Sequence, residues 1–129
     1  MSPPLIYVAG PYRANNAWDV EQNIRRAESL AFTLALAGAY PITPHANTRG
    51  YFECAQSDPL FWLGGTLELM RRCDAIALLD TWGNSSGAMA EHEEARRLAL
   101  PILYPTDNLN GEVAAFVRHM RDRAKAANR

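Results

Sequence analysis

Short apolar runs along the chain alternate with longer segments of helical periodicity. Residues 5–9 are uniformly apolar and end at the breaker pair Gly10-Pro11. A run rich in isoleucine, tyrosine and valine, without alternation, predicts a strand that is buried on both faces. Runs at residues 40–43, 74–80 and 101–104 predict further strands. Pro41 near the start of the second run fits an edge strand.

The intervening segments carry helical patterns. We expect Asp19 to cap a helix in which apolar residues recur at steps of three and four up to Leu34, and Gly38 to end it. Further helices are predicted over residues 59–73 and 87–100. A last helix follows Asn108 or Asn110, and we expect the basic end at residues 122–129 to fray.

This order of elements predicts one α/β domain over residues 1–129. The expected fold is a doubly wound parallel sheet, flavodoxin-like or Rossmann-like, with four to five strands flanked by helices. Ligands of such sheets bind beyond the carboxyl ends of the strands, which here are followed by the loops at 10–18, 44–58 and 80–86. Residues 44–58 have no clean period and form either a functional loop or a partly helical segment.

Composition narrows the classes of function. The 129 residues hold 13 basic and 14 acidic side chains, a balance that does not favour binding to a nucleic acid polymer. No apolar run is long enough to span a membrane, and the N-terminus resembles no targeting segment. Cys54 and Cys73 form no CxxC pair and suggest no disulfide scaffold. We therefore expect a cytoplasmic protein without membrane contact.

The turn after the first strand is one candidate site. Gly10 would let the backbone approach a ligand closely, and Arg13 offers a planar fork for a phosphate or carboxylate. The segment lacks the GxGxxG spacing of dinucleotide sites. The alternative is an ordinary turn with a solvated arginine.

A second candidate site opens the helix after the third strand. Backbone N–H groups and hydroxyls at Ser85, Ser86 and Gly87 favour an anion. Glu91, about one turn further on, would face a ligand held there and could act as a nucleophile or stabilise a cationic sugar carbon. Equally, a serine followed by a glutamate is common capping chemistry.

The histidines and aromatic residues are weaker indicators of a functional site. His45 could reach the same site as an acid–base group or ligand contact, or be an ordinary loop histidine. His92 lies in no metal-ligand spacing, so we expect neither a metal nor a cofactor. Aromatic side chains near the candidate loops either stack on a base or pack in the core: Trp18, Tyr51, Phe52, Trp62 and Trp82.

Three segments carry a family resemblance. IYVAGPY at residues 6–12, CDAIA at 73–77 and SGAMAE at 86–91, with Ala95 after them, resemble the nucleoside 2-deoxyribosyltransferase superfamily. The likeness extends from about residue 5 to residue 104. It implies that Glu91 is the nucleophile toward C1′ of a deoxyribosyl group and that Tyr7 orients it. It also implies a homo-oligomer, a dimer or tetramer, for which residues 51–63 are our candidate contact.

Three positions resemble the branch of that superfamily that hydrolyses 2′-deoxynucleoside 5′-monophosphates. Ser85 stands where the transferases usually carry an aspartate and this branch a phosphate-binding serine. Arg13 matches a phosphate-binding arginine, and His45 falls near a histidine of the branch. The resemblance thus implies a nucleotide or nucleoside ligand, whose phosphate would contact Arg13, Ser85, Ser86 and Gly87.

One position departs from the pattern. Thr66 occupies the place of the superfamily's general-acid aspartate, and threonine cannot protonate a leaving base at neutral pH. Asp58, Glu68 or His45 could replace that acid. The alternative is a non-catalytic domain that binds or senses a nucleotide or another phosphorylated metabolite.

Overall fold

A parallel sheet of four strands organises the structure, a computed structural model that describes residues 2–49 and 58–128. The strand order is β2–β1–β3–β4, and all pairings are parallel. The strands are β1 (Leu5–Ala9), β2 (Tyr40–Ile42), β3 (Ala75–Leu78) and β4 (Ile102–Leu103). The predicted doubly wound α/β fold is confirmed.

Helices cover both faces of this sheet. They are α1 (Ala17–Leu36), α2 (Pro44–Asn47), α3 (Pro59–Arg71), α4 (Ser86–Arg97) and α5 (Leu109–Ala127), with a short 3-10 turn at Trp82–Asn84. Residues of α1 and α5 pack with Ile6 and Val8 on one face. Met70 and Ala95 pack with Tyr7 and Ile76 on the other. None of the helices in the two described stretches combines the length and apolar character needed to cross a membrane.

The start of α1 differs from the prediction. Asn16, not Asp19, is the capping residue, and its side-chain oxygen accepts a hydrogen bond of 2.8 Å from the Asp19 N–H. Asp19 returns the contact by accepting from the Asn16 side-chain amide at 2.9 Å. The predicted cap at Asp19 is therefore wrong, because Asp19 is the third residue of the helix and pairs with the capping residue. The end is as predicted, because Gly38 follows the helix with a φ of 97°, which favours glycine.

The other boundaries show smaller differences. Residues 44–47 form the short helix α2, so the partly helical alternative applies there, while residues 50–57 lie outside the described residues. The last helix begins after Asn108, whose side chain makes no capping hydrogen bond, and continues to Ala127, while the fraying of residues 122–129 stays a prediction. Alanine, arginine and lysine dominate this end and are strong helix formers, which explains the extension.

The strand order sets the position of the site. The chain moves from β1 outward to β2 and then crosses back to β3, so the direction of winding reverses between β1 and β3. In doubly wound sheets this reversal opens a crevice at the carboxyl ends of the two strands. Ala9 pairs with Leu78 at those ends, and the crevice lies beyond them.

Candidate functional site

A cavity of about 470 Å³ lies at the carboxyl ends of β1 and β3. Segments from four parts of the fold line it: the end of β1 with its turn, α2, α3, and the start of α4. The lining residues are Tyr7, Gly10–Arg13, Pro44, His45, Thr48, Pro59, Trp62, Leu63, Thr66, residues 84–88 and Glu91. All eight of the site residues predicted from the sequence are among them.

Glu91 is the carboxylate of this cavity among the described residues. It lies on the inner side of α4, and its side chain is buried, with 8% of its surface exposed. Burial disfavours the charged form and raises the pKa of Glu91 to about 7, while a hydrogen bond from Tyr7 acts in the opposite direction. A carboxyl group with this pKa is partly ionised at neutral pH and can serve as a nucleophile or a proton carrier.

Tyr7 supports Glu91 from the centre of the sheet. It is the middle residue of β1 and is completely buried. Its phenol hydrogen-bonds to Glu91, and both burial and the neighbouring carboxylate raise the pKa of Tyr7 well above its ordinary value. The phenol therefore keeps its proton and can donate it to the ionised form of Glu91.

Thr66 extends this contact to α3. Its hydroxyl hydrogen-bonds with the Tyr7 phenol and lies 3.0 Å from the carbonyl oxygen of Leu63, to which it can donate. Thr66 thus lies in the same wall of the cavity as Glu91, at the position where the resemblance would put an aspartate. A hydroxyl there holds Tyr7 but supplies no acidic proton at neutral pH.

His45 is held against the turn that follows β1. Its Nε2 lies 3.1 Å from the carbonyl oxygen of Gly10 and 3.0 Å from that of Pro11. Both partners are acceptors, so Nε2 carries the proton and donates to them. Nδ1 is buried and has no hydrogen-bond partner among the described residues. Burial lowers the pKa of His45, which favours a neutral ring.

The start of α4 forms the polar side of the cavity. The hydroxyl oxygen of Ser85 caps the helix by accepting from the Ala88 N–H at 3.1 Å. Ser86 and Gly87 are the first two helical residues, so their N–H groups have no intrahelical acceptor. The helix dipole adds partial positive charge there. Arg13 lines the same cavity from the turn after β1, and together these groups suit an anion.

The structure shows why position 10 must be a glycine, which the sequence did not reveal. A Cβ atom at this position would lie 2.2 Å from Cδ1 and 2.8 Å from Cβ of Leu79. Close packing against the end of β3 therefore requires glycine here. Gly10 also lines the cavity, and a close approach of its backbone to a ligand stays a prediction.

Neither of the two predicted carboxylate substitutes lines the cavity. Asp58 caps α3 by accepting from the Leu60 N–H at 3.0 Å. Glu68 pairs with Arg71 and Arg72 on the outer side of α3. His45 reaches the cavity, but its paired Nε2 and lowered pKa do not suit an acid.

Of the aromatic residues and the second histidine named from the sequence, some line the cavity and others do not. Trp62 lines the cavity. Trp18 is exposed, and Trp82 packs on His92 with ring centroids 4.4 Å apart. His92 also contacts the Tyr104 hydroxyl at 2.9 Å, away from the cavity lining. Tyr51 and Phe52 lie outside the described residues. Sequence reasoning missed Pro59 and Leu63 as lining residues, because the helical pattern alone does not say which end of α3 meets the sheet edge.

Metal binding and self-association have no further support in the described parts of the chain. Residues 2–49 and 58–128 contain no cluster of three or more histidine, cysteine, aspartate or glutamate side chains able to hold a metal ion. The predicted contact segment 51–63 is described only from Asp58 onward, where Leu60 and Phe61 are exposed. Oligomerisation stays a prediction.

Comparison with known proteins gives a family. Residues 4–105 match the family model DUF7768, which is described as a domain of unknown function. The chain belongs to this family. The DUF7768 match runs from the residue before β1 to just beyond β4 and includes every described residue that lines the cavity. No curated protein matches the chain.

Proposed function

We propose that this DUF7768 protein is an enzyme that cleaves the N-glycosidic bond of a nucleotide 5′-monophosphate or nucleoside. The observation that carries the proposal is the buried Glu91 carboxylate, which hydrogen-bonds to Tyr7 inside the cavity at the strand ends. Such a carboxylate can attack an anomeric carbon or stabilise its developing positive charge. The resemblance to the nucleoside 2-deoxyribosyltransferase superfamily supports the same role for Glu91 and Tyr7.

The polar side of the cavity supports a phosphorylated ligand. Free N–H groups at Ser86 and Gly87, the Ser85 hydroxyl and the Arg13 guanidinium line one cavity with Glu91. A phosphate there would keep the sugar near Glu91, one helical turn away. The neutral Nε2–H form of His45 would position the ligand indirectly, because it holds the turn that carries Arg13.

In the proposed reaction, a Glu91 carboxylate oxygen forms a bond to C1′ while the bond between C1′ and the base nitrogen breaks. Water or a second base then attacks C1′ and frees the carboxylate. Tyr7 donates a hydrogen bond to the ionised carboxylate and fixes its direction. Hydrolysis and transfer share the first step, so the same residues would serve both.

Incubation with a panel of ribonucleoside and deoxyribonucleoside 5′-monophosphates, with neutral and with cationic bases, beside the unphosphorylated nucleosides, tests this proposal. The proposal predicts free base by chromatography and a larger rise in melting temperature with the monophosphates, since a ligand that binds only the folded state stabilises it. Arg13→Gln should reduce the advantage of the monophosphates. Absence of base release from every member of the panel would contradict an enzymatic role.

A second candidate is a domain that binds or senses a nucleotide without cleaving it. Thr66 favours this candidate, because a hydroxyl that contacts Tyr7 and Leu63 stands where the resemblance implies an acid. It predicts saturable binding of nucleotides in the same melting experiment, with no base released over hours. If sugar phosphates without a base stabilise the protein equally, the ligand is a different phosphorylated metabolite.

A further inference from the structure

The described wall of the cavity lacks a group suited to protonate a leaving base. Its ionisable side chains are Tyr7, Tyr12, Arg13, His45 and Glu91. Efficient proton donors have a pKa near the working pH, whereas a tyrosine phenol ordinarily has one near 10 and arginine does not deprotonate. Burial moves the pKa of Tyr7 still higher and that of His45 lower, so each moves away from the useful range.

Glu91 cannot fill both roles in one step. A carboxylate that attacks C1′ must be ionised, and one that donates a proton must not be. No second carboxylate lines the cavity within residues 2–49 and 58–128. Thr66, on the wall beside Tyr7, offers only a hydroxyl.

We propose that the substrate is a 5′-phosphorylated N-glycoside whose base nitrogen at C1′ belongs to a cationic ring, such as a 7-alkylated guanine or a pyridinium. This inference rests on the proposed N-glycosidic function and names its substrate class. When the C1′–N bond breaks, the electron pair stays on the ring and cancels its positive charge. The base leaves as a neutral molecule, and no proton donor is needed.

The whole reaction balances without another reactant. The Glu91 carboxylate and the cationic glycoside give a neutral glycosyl ester and a neutral base. Water then attacks C1′, Glu91 leaves as the carboxylate, and one proton passes to solvent. Each turnover therefore releases one proton, which a neutral base would have retained on its ring nitrogen.

Two features of the cavity favour a cationic ring over a neutral one. A positive charge near the buried Glu91 carboxylate offsets part of the cost of ionising it. Trp62 lines the same cavity from α3, and a tryptophan ring attracts a cation positioned over its face. The apolar neighbours Pro59 and Leu63 strengthen both attractions by lowering the local dielectric.

The test compares 7-methylguanosine 5′-monophosphate with guanosine 5′-monophosphate, each also in the 2′-deoxy form. The two bases differ by one methyl group and one charge. After subtraction of uncatalysed hydrolysis, we expect kcat/KM for the cationic member to be at least about 100-fold higher, the lower part of the range that general acids contribute. With a pyridinium nucleotide, whose ring charge does not depend on pH, a pH-stat should record one proton per base released.

Thr66→Asp and Thr66→Asn supply the matched control, because only the aspartate can carry a proton. In the cavity that also holds the Glu91 carboxylate, the new carboxyl group would have a raised pKa and hold its proton at neutral pH. We expect Thr66→Asp, but not Thr66→Asn, to increase cleavage of guanosine monophosphate at least about tenfold. Equal cleavage of both bases by the parent protein would overturn the substrate class and leave the proposed function standing. Cleavage of neither would overturn both.

Discussion

The phenol of Tyr7, at the middle of β1, hydrogen-bonds to the carboxylate of Glu91 inside α4. Both side chains are buried, and they come from elements that are far apart in the sequence. The contact joins the centre of the sheet to the cavity and directs one acidic side chain toward the ligand space.

The first prediction concerns stability and pH. Folding raises the pKa of Glu91 from 4.5 to about 7, so between these values the folded state binds the proton more tightly than the unfolded state. The free energy of unfolding should therefore fall as pH rises through this window, by up to about 3 kcal/mol. Glutamine at this position does not titrate. The free energy of unfolding of Glu91→Gln, minus that of the parent, should therefore increase by that amount between pH 4 and pH 8.

Urea denaturation of both proteins at several pH values measures this difference. Glu93→Gln is the matched control, because Glu93 lies on the same helix with an exposed side chain. The difference in free energy of unfolding between Glu93→Gln and the parent should change little over the same pH range. A flat difference for Glu91→Gln as well would show that Glu91 is not held in a poorly solvated place.

The second prediction concerns Tyr7, the hydrogen-bond donor to Glu91. The hydrogen bond from Tyr7 lowers the pKa of Glu91, so Tyr7→Phe should raise that pKa above 7. Titration of the glutamate carboxyl signals by NMR should show the shift, and base release should fall about 10- to 100-fold through misplacement of the carboxylate. Tyr40→Phe, in the exposed edge strand, should change neither quantity. An unchanged titration in Tyr7→Phe would mean that the phenol does not act on Glu91.

The third prediction concerns His45. His45→Ala removes the donor to the carbonyl oxygens of Gly10 and Pro11 and should cost about 2 kcal/mol or more in the free energy of unfolding. His119→Ala on the exposed side of α5 should stay within about 0.5 kcal/mol of the parent. A similarly small effect at His45 would contradict its role in holding the turn. Thermal or urea denaturation of the two variants and the parent measures these free energies of unfolding.

The fourth prediction concerns the close contact of Gly10 with Leu79. Gly10→Ala places a methyl group within 2.8 Å of several Leu79 atoms and should destabilise the fold by about 1–3 kcal/mol. Gly83→Ala is the control, because nothing lies within 4 Å of a Cβ there. In a double-mutant cycle, Leu79→Ala should recover part of the loss. Additive effects would indicate that the two residues do not touch.

The sequence predicts the order of strands and helices well, because buried parallel strands and amphipathic helices have distinct periods. It places Glu91 in the site, since a helix that follows a strand must begin at the carboxyl edge of the sheet. It could not identify the cap at Asn16, because Asn16 and Asp19 both suit that position. Nor could it foresee that Leu79 excludes a side chain at Gly10, since that contact joins distant residues.

The most direct test of the account measures base release by the parent protein and by Glu91→Gln at saturating nucleotide, after calorimetry has shown that both proteins bind it. Glutamine keeps the shape of the side chain but cannot act as a carboxylate nucleophile. We predict that the parent releases base and that Glu91→Gln binds the nucleotide yet releases at least about 1,000-fold less. Full activity of Glu91→Gln would contradict the central claim that the Glu91 carboxylate carries the reaction.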